Sequence, residues 1–348
     1  MRELLDISRF RLLVIYQGFA RLLFGPSPTE IYNNLMRNKY YIDIDVDLPS
    51  DQDIDVIEEQ LVERLKNASP LDLEQYSHDH DEQQGNLLLS IAIFNRYWKN
   101  VVFKNLETGL TYGPKNILVA EIPDPKFNAF CIKAAGGYLV VFNRGLALFI
   151  TRTVKLLLGC TRLRFPNMVA EATISKQVAS SSLKTEIAEL MLNQRHFLPL
   201  PLRSEFHVRI YPVLINFIES WVCSHELGHC MANSSSNFSI QSEYDADRIG
   251  YGIYINIDSP LYPDTRSDTL IGGMHFAAPH LFFLISEACE KHKPNLQRSH
   301  PSSANRSELL MQLSRQYSKE QIEIGNLFIA QLRDLLDLGG KDGSSLHK

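Results

Sequence analysis

The sequence predicts an α+β, helix-rich fold with a small antiparallel sheet, and three observations carry that expectation. Apolar residues recur at helical spacing through the second half of the chain, as in PVLINFIESWVCSHELGHCMAN and EYDADRIGYGIYI. Two short strand patterns flank a Gly-Gly turn in FNAFCIKAAGGYLVVFN. Composition is that of a globular protein, with 45% hydrophobic and 22% charged residues over 348 positions, enough for one large domain or for a main domain with an N-terminal companion.

Taken in order, MRELLDISRFRLLVIYQGFARLLFG is apolar but carries Arg9, Arg11 and Arg21 inside the run and has no small-residue cleavage site. It reads as an amphipathic helix packed on a core rather than a signal peptide, with a membrane-surface helix as the alternative. YYIDIDVDLP alternates as a half-buried strand does, and SDQDIDVIEEQLVERLKN opens on a capping serine and continues at helical spacing. SPLDLEQYSHDHDEQQG is polar. His78, Asp79, His80 and Asp81 within it are metal-ligating types, but nothing regular flanks them to fix a geometry, so they read as a solvated loop. NLLLSIAIFNRYWKNVVFK has an apolar helical face, and LETGLTYGPKNILVAEIPDPK holds one short strand. Pro123-Asp124-Pro125 is the best candidate seam. This divides the chain into an N-terminal α/β region without an assigned role (1–110), a second domain (111–338) and a disordered tail (339–348).

Within the second domain a strand, the Gly-Gly turn and a second strand lead into a helix beginning near Arg144. ATISKQVASSSLKTEIAELMLNQRHF is a polar helical segment. Thr269–Ser286 is the longest uncharged run, barely long enough to span a bilayer. Its Gly-Gly, its proline and its two histidines make it a buried helix instead, and His275 and His280 read as core histidines rather than ligands.

A net charge of −5 and a pI near 6.1 give no electrostatic case for nucleic acid or an anionic membrane as partner. The five cysteines form no CxxC pair and are odd in number, the pattern of reduced thiols in a cytoplasmic chain. Cys223 and Cys230 flank the motif described next and read as buried thiols.

The chemistry centres on SHELGHC. His225 and His229 stand at i and i+4, so both imidazoles leave one helix face a turn apart and can reach one ion. Glu226 between them can face water, the arrangement of metal-assisted hydrolysis with a carboxylate base. A catalytic zinc needs a third protein ligand and an open fourth position. Glu243 and Asp247, again i and i+4, follow one short polar loop later. Glu243 can supply the third ligand and Asp247 can accept the free N–H of a liganding histidine, most plausibly His225. The plain alternative is a solvated acidic helix start favoured by the helix dipole.

His225-Glu226-x-x-His229 followed by Glu243-x-x-Ala246-Asp247 resembles the signature of gluzincin metallopeptidases of the HtpX type. Asn128–Leu146 resembles that family's Asn-Ala-Phe strand, glycine turn, apolar strand and Gly-Leu helix start. SHPSSANR resembles its late His-Pro element, with His300 and Arg306 spaced as in the family. The short loop between the motif helices, and the lack of evident membrane spans, are similar to phage-exclusion peptidases of the Lit type. The resemblance covers roughly residues 127–312, and departs from the family in lacking its usual transmembrane helices and in a longer stretch before the motif helix.

What the resemblance implies is a zincin-like metallopeptidase domain acting on a protein or peptide, one Zn2+ per chain held by His225, His229 and Glu243, in the cytoplasm and in a phage-defence setting. Glu226 would be the general base and later protonate the leaving amine. His300 or Arg306 would stabilise the oxyanion; alternatively Arg306 pairs with Asp247 and His300 starts a helix. Asn128, Phe130, Tyr138 and Val140 would form the substrate strand, with Tyr138–Phe142 as the edge that pairs with an extended peptide. Two rival readings stay open: a zinc-stabilised binding or sensor module without turnover, and a membrane-associated protease.

Overall fold

The computed structural model describes residues 25–40, 116–165 except 136, 168–191, 202, 204–232, 240–255, 268–292 and 301–338. The sequence-based expectations for 1–24, 41–115 and 339–348, including His78–Asp81, lie outside these residues, as does His300.

A three-stranded sheet forms one side of the molecule. Its strands are β1 (Asn116–Ile122), β2 (Ala129–Ala134) and β3 (Gly137–Asn143), in the order β1-β3-β2. β2 and β3 pair antiparallel across the Gly-Gly turn, but β1 lies parallel to β3 with Asn116 opposite Gly137 and Ile122 opposite Asn143. The sheet is therefore mixed, not antiparallel. The reason is the path between β1 and β2: the chain does not turn back beside β1 but crosses the end of β3 to reach the far edge. Pro123-Asp124-Pro125 is that crossover rather than a seam. Asp124 O accepts from Gly145 N at 3.0 Å, and Asn128 O accepts from Asn143 N at 3.0 Å. Gly145 makes the passage possible, because a Cβ there would stand 1.9 Å from Pro125 O.

Alternation along the strands sends side chains to two cores. Leu139 and Val141 of β3, with Ala120 and Ile122 of β1, pack against Tyr32 and Met36 of α1 (Pro28–Tyr40). A capping box between Ser27 and Glu30 starts this helix, and the Tyr32 hydroxyl donates to Glu121 O at 2.9 Å. On the opposite face Val140, Phe142, Ile117 and Val119 join the large helical core.

That core is a layer of long helices. α2 (Arg144–Cys160) follows β3 directly and is buried along most of its length, and a two-stranded hairpin of β4 (Leu163–Phe165) and β5 (Met168–Ala170) leads to α3 (Lys176–Met191). α4 (Glu205–Met231) is 27 residues, about 40 Å of helix. α5 (Ile240–Tyr254), α6 (Thr269–His292), α7 (Ser303–Leu313) and α8 (Lys319–Leu335) complete the layer. Asp268, Ser302 and Ser318 cap α6, α7 and α8 by accepting from backbone N–H groups of their first turns. α6, the apolar run singled out in the sequence, packs against α3, α4, α7 and α8. It is long and apolar enough to cross a membrane, yet 78% of its most apolar window is buried inside this protein. The described part of the chain is thus α+β and helix-rich, with α4 running between the sheet and the other helices.

Candidate metal centre

The residues of SHELGHC lie in the last two turns of α4. α5 crosses this end of α4 at unusually short range, and two glycines explain why. A Cβ on Gly228 would sit 2.3 Å from Ala246 O, and one on Gly250 would sit 2.8 Å from Ser224 O and 2.9 Å from the His225 backbone. Each helix thus gives the other a bare backbone patch, and Glu243 and Asp247 come up against the histidines. Gly228 is one of the two unspecified positions of the motif, and here it is as constrained as the ligands.

His225, His229 and Glu243 form the one group of three among the described residues whose ligating atoms lie within 4.8 Å of one another. The His225 and His229 Nε2 atoms are 3.1 Å apart; His225 Nε2 is 3.6 Å from Glu243 Oε2, and His229 Nε2 is 3.4 Å from Glu243 Oε1. Ligands at ~2.0–2.1 Å from one tetrahedral ion stand ~3.3–3.4 Å apart. The three separations lie close to that edge length, with one carboxylate oxygen facing each imidazole, and two imidazole nitrogens with one carboxylate are donors that zinc accepts. These residues fit a divalent metal ion.

Charge makes the same point. Glu243 and Asp247 bring two carboxylates to one region and Arg306 brings one cation, a balance of −2 + 1 = −1, with the Glu226 carboxyl, pushed towards its neutral form, beside them. Glu243 and Asp247 are 3% and 0% exposed, and buried charge is tolerated only when paired. A cation bound here would offset that residual negative charge.

Around this group stands a fixed frame. Asp247 Oδ1 accepts from His225 Nδ1 at 3.0 Å, which puts the lone pair on Nε2, where His229, Glu243 and, at 3.2 Å, Arg306 Nη2 surround it. Arg306, from α7, binds Asp247 in two-pronged fashion, Nε to Oδ2 at 2.7 Å and Nη2 to Oδ1 at 2.8 Å, and its Nη1 is 3.4 Å from Glu243 Oε2. The guanidinium rests on the Phe283 ring, 4.8 Å from its centroid. Trp221, one turn before His225, packs edge-on against Tyr251, Tyr254 and Phe283 and closes the apolar wall behind the imidazole. Burial pushes the Asp247 carboxyl up, but the Arg306 charge and hydrogen bonds and the His225 bond outweigh it and hold it at about 2. Burial, then the neighbouring His225, lowers His229 to about 4, so at neutral pH it is an unprotonated donor. Burial, then Glu243 and Cys230, raise Glu226 well above the carboxylate range against the pull of Arg306. A cation among the three ligands acts in the opposite direction.

The other sequence candidates fall out as follows. Arg306 is 9% exposed and committed to the two α5 carboxylates, the alternative in which it holds the frame. His275 and His280 lie buried on α6, sharing hydrogen bonds through Nδ1 with the Tyr317 and Ser307 hydroxyls at 2.6 and 2.7 Å. They are core histidines and no part of the metal group. Tyr138–Phe142 is not an edge: β3 is the central strand, hydrogen-bonded to β1 and β2 on its two sides. Among the described residues the edge beside α4 is β2, with exposed Asn128 just before it. Tyr138 and Val140 do point to the α4 side, whereas Phe130 points to the α1 side, away from the motif. Sequence reasoning passed over Trp221, Phe283, Gly228 and Gly250. The glycines had a visible signal in their spacing from the ligands; the aromatic residues were indistinguishable from any core.

Comparison with protein-family models, with curated proteins and with solved structures finds no match for this chain.

Proposed function

We propose that the chain is a zinc-dependent endopeptidase of zincin-like architecture that cleaves a protein or peptide substrate. One observation carries the reading: two histidines and a glutamate whose ligating atoms lie 3.1, 3.4 and 3.6 Å apart, with a spare, partly exposed glutamate beside them. Zinc held there supplies a Lewis acid for the scissile carbonyl and lowers the pKa of water.

The chain's own residues do the rest. Asp247 fixes the His225 tautomer and Arg306 fixes Asp247, so the two imidazoles and Glu243 are pre-set in their positions. Glu226 follows His225 on α4 and is partly exposed; it takes the proton from the attacking water at its carboxylate and delivers it to the leaving amine nitrogen. The β2 edge offers backbone groups to an extended peptide and lines it up along the end of α4, the role first expected of β3. A purely structural metal site has no use for an unligated base, which weighs against a binding module without turnover.

The experiment is a comparison of four proteins. The native chain holds one zinc ion, His225→Ala and Glu243→Ala hold none, and Glu226→Gln holds zinc and keeps its fold but loses cleavage of substrates found by comparing protein fragments in lysate, by about 100-fold or more. Full metal in the ligand variants would sink the site; equal fragment patterns for wild type and Glu226→Gln would sink the peptidase.

A further inference from the structure

Two thiols stand where the sheet edge meets the metal-binding helix. Cys131 lies on β2, opposite Val140 of β3 and on the side of the sheet that faces α4. Cys230 is in the last turn of α4, next to His229. α4 packs directly on β2, and the Cys131 and Cys230 side chains are neighbours across that contact. The remaining cysteines are out of reach: Cys160, Cys223 and Cys289 are buried, while Cys131 and Cys230 are both partly exposed. The two cysteines that solvent can reach are therefore the two that neighbour each other. Nothing in the hydrolytic reading uses either of them.

We propose that Cys131 and Cys230 are a redox site, closing reversibly into an intramolecular disulfide that staples the β2 edge to the end of α4. With a peroxide as oxidant the step balances. One sulfur attacks a peroxide oxygen, the O–O bond breaks, and a sulfenic acid and one water result. The second sulfur then attacks the sulfenic sulfur, the S–S bond forms as S–O breaks, and a second water leaves carrying the thiol protons. Each sulfur gives up one electron and the peroxide takes two. Reduction by a dithiol restores both groups. The two side chains are neighbours across the packed strand and helix, and a disulfide there needs the sulfurs to close to ~2.05 Å.

The staple joins positions 99 residues apart (230 − 131) and fixes the edge strand against the turn that carries His229. A strand held in this way cannot shift to admit a peptide beside it, so the oxidised form is the inactive one; this last consequence rests on the peptidase reading, whereas the disulfide does not.

The zinc-loaded full chain is treated with hydrogen peroxide, capped with N-ethylmaleimide and digested without reduction. One cross-linked pair is expected, Cys131 with Cys230, lighter by two hydrogens and released by dithiothreitol. Cys131→Ser and Cys230→Ser should each abolish it, with the surviving thiol recovered alkylated. Oxidised wild type should also melt at a higher temperature than reduced, with no such shift in Cys131→Ser or, should serine disturb the fold, Cys131→Ala. Recovery of both residues as separate alkylated or sulfinic species, or a cross-link between two chains, overturns the proposal. A chain that never cleaves any substrate but forms this bond leaves the redox site standing and removes only the peptidase.

Discussion

Asp247 is fully buried and serves two partners, accepting from His225 Nδ1 on one side and from the Arg306 fork on the other. Asp247→Asn removes the charge and keeps the shape. Zinc affinity should fall about 10–100-fold, the usual cost of losing a carboxylate behind a liganding histidine, read by competition with a chromophoric chelator. Arg306→Met has a different signature. It keeps the apolar contact with Phe283 but leaves Asp247 and Glu243 without their cation, and stability should fall by about 3–5 kcal/mol in urea titration. Because zinc supplies part of the missing positive charge, the loss should be larger in the metal-free protein. If Arg306 stabilised an oxyanion instead, its replacement would leave stability and metal affinity alone and lower turnover only.

At the scale of elements, the centre is a crossing of two helices, set by the absence of two methyl groups. Gly228→Ala drives a Cβ into Ala246 O, and Gly250→Ala drives one into the Ser224 and His225 backbone. Backbone cannot rotate aside as a side chain can, so each change should cost about 1–3 kcal/mol. Glu243 is carried away from the histidines at the same time, and zinc content drops alongside the melting temperature. A Cβ on the exposed Gly252 would meet nothing within 4 Å, and its alanine variant serves as the control. The same scale explains what could be read in advance. α4, α5 and α6 were legible because 15 to 27 residues of helical spacing leave little ambiguity. The ligand set was legible because i and i+4 fix two side chains without any knowledge of the fold. The direction of β1 was not, since a strand's own residues are the same whichever way its neighbour runs; that depended on a crossover through Asp124 and Gly145. With β1 beside β3, the central strand is β3, and among the described residues the edge next to α4 is β2. α1 was missed although SPTE carries a capping box, because the apolar run before it drew the helix assignment.

For the whole molecule, acid should act in two stages. His207 and His280 are buried, and burial lowers each from 6.5 to about 4. Between those values the unfolded chain binds protons that the folded chain does not, so stability declines as pH falls from 6.5 to about 4 and the contribution levels off below. Asp247 works the same way lower down: its folded value of about 2 against 3.8 gives stability that is present above 3.8 and lost as pH falls towards 2. Urea midpoints across this range should show both slopes, and His280→Gln should flatten only the first. Molecule-wide, too, is the dependence of the centre on a late part of the chain. Arg306 is 59 positions beyond the carboxylate it neutralises. A ribosome adding about 5–20 residues per second reaches it about 3–12 s after Asp247. Until then the growing chain carries its ligands without the cation that sets them in place. The centre is therefore assembled late: its two helices exist as a pair before the guanidinium that locks them arrives.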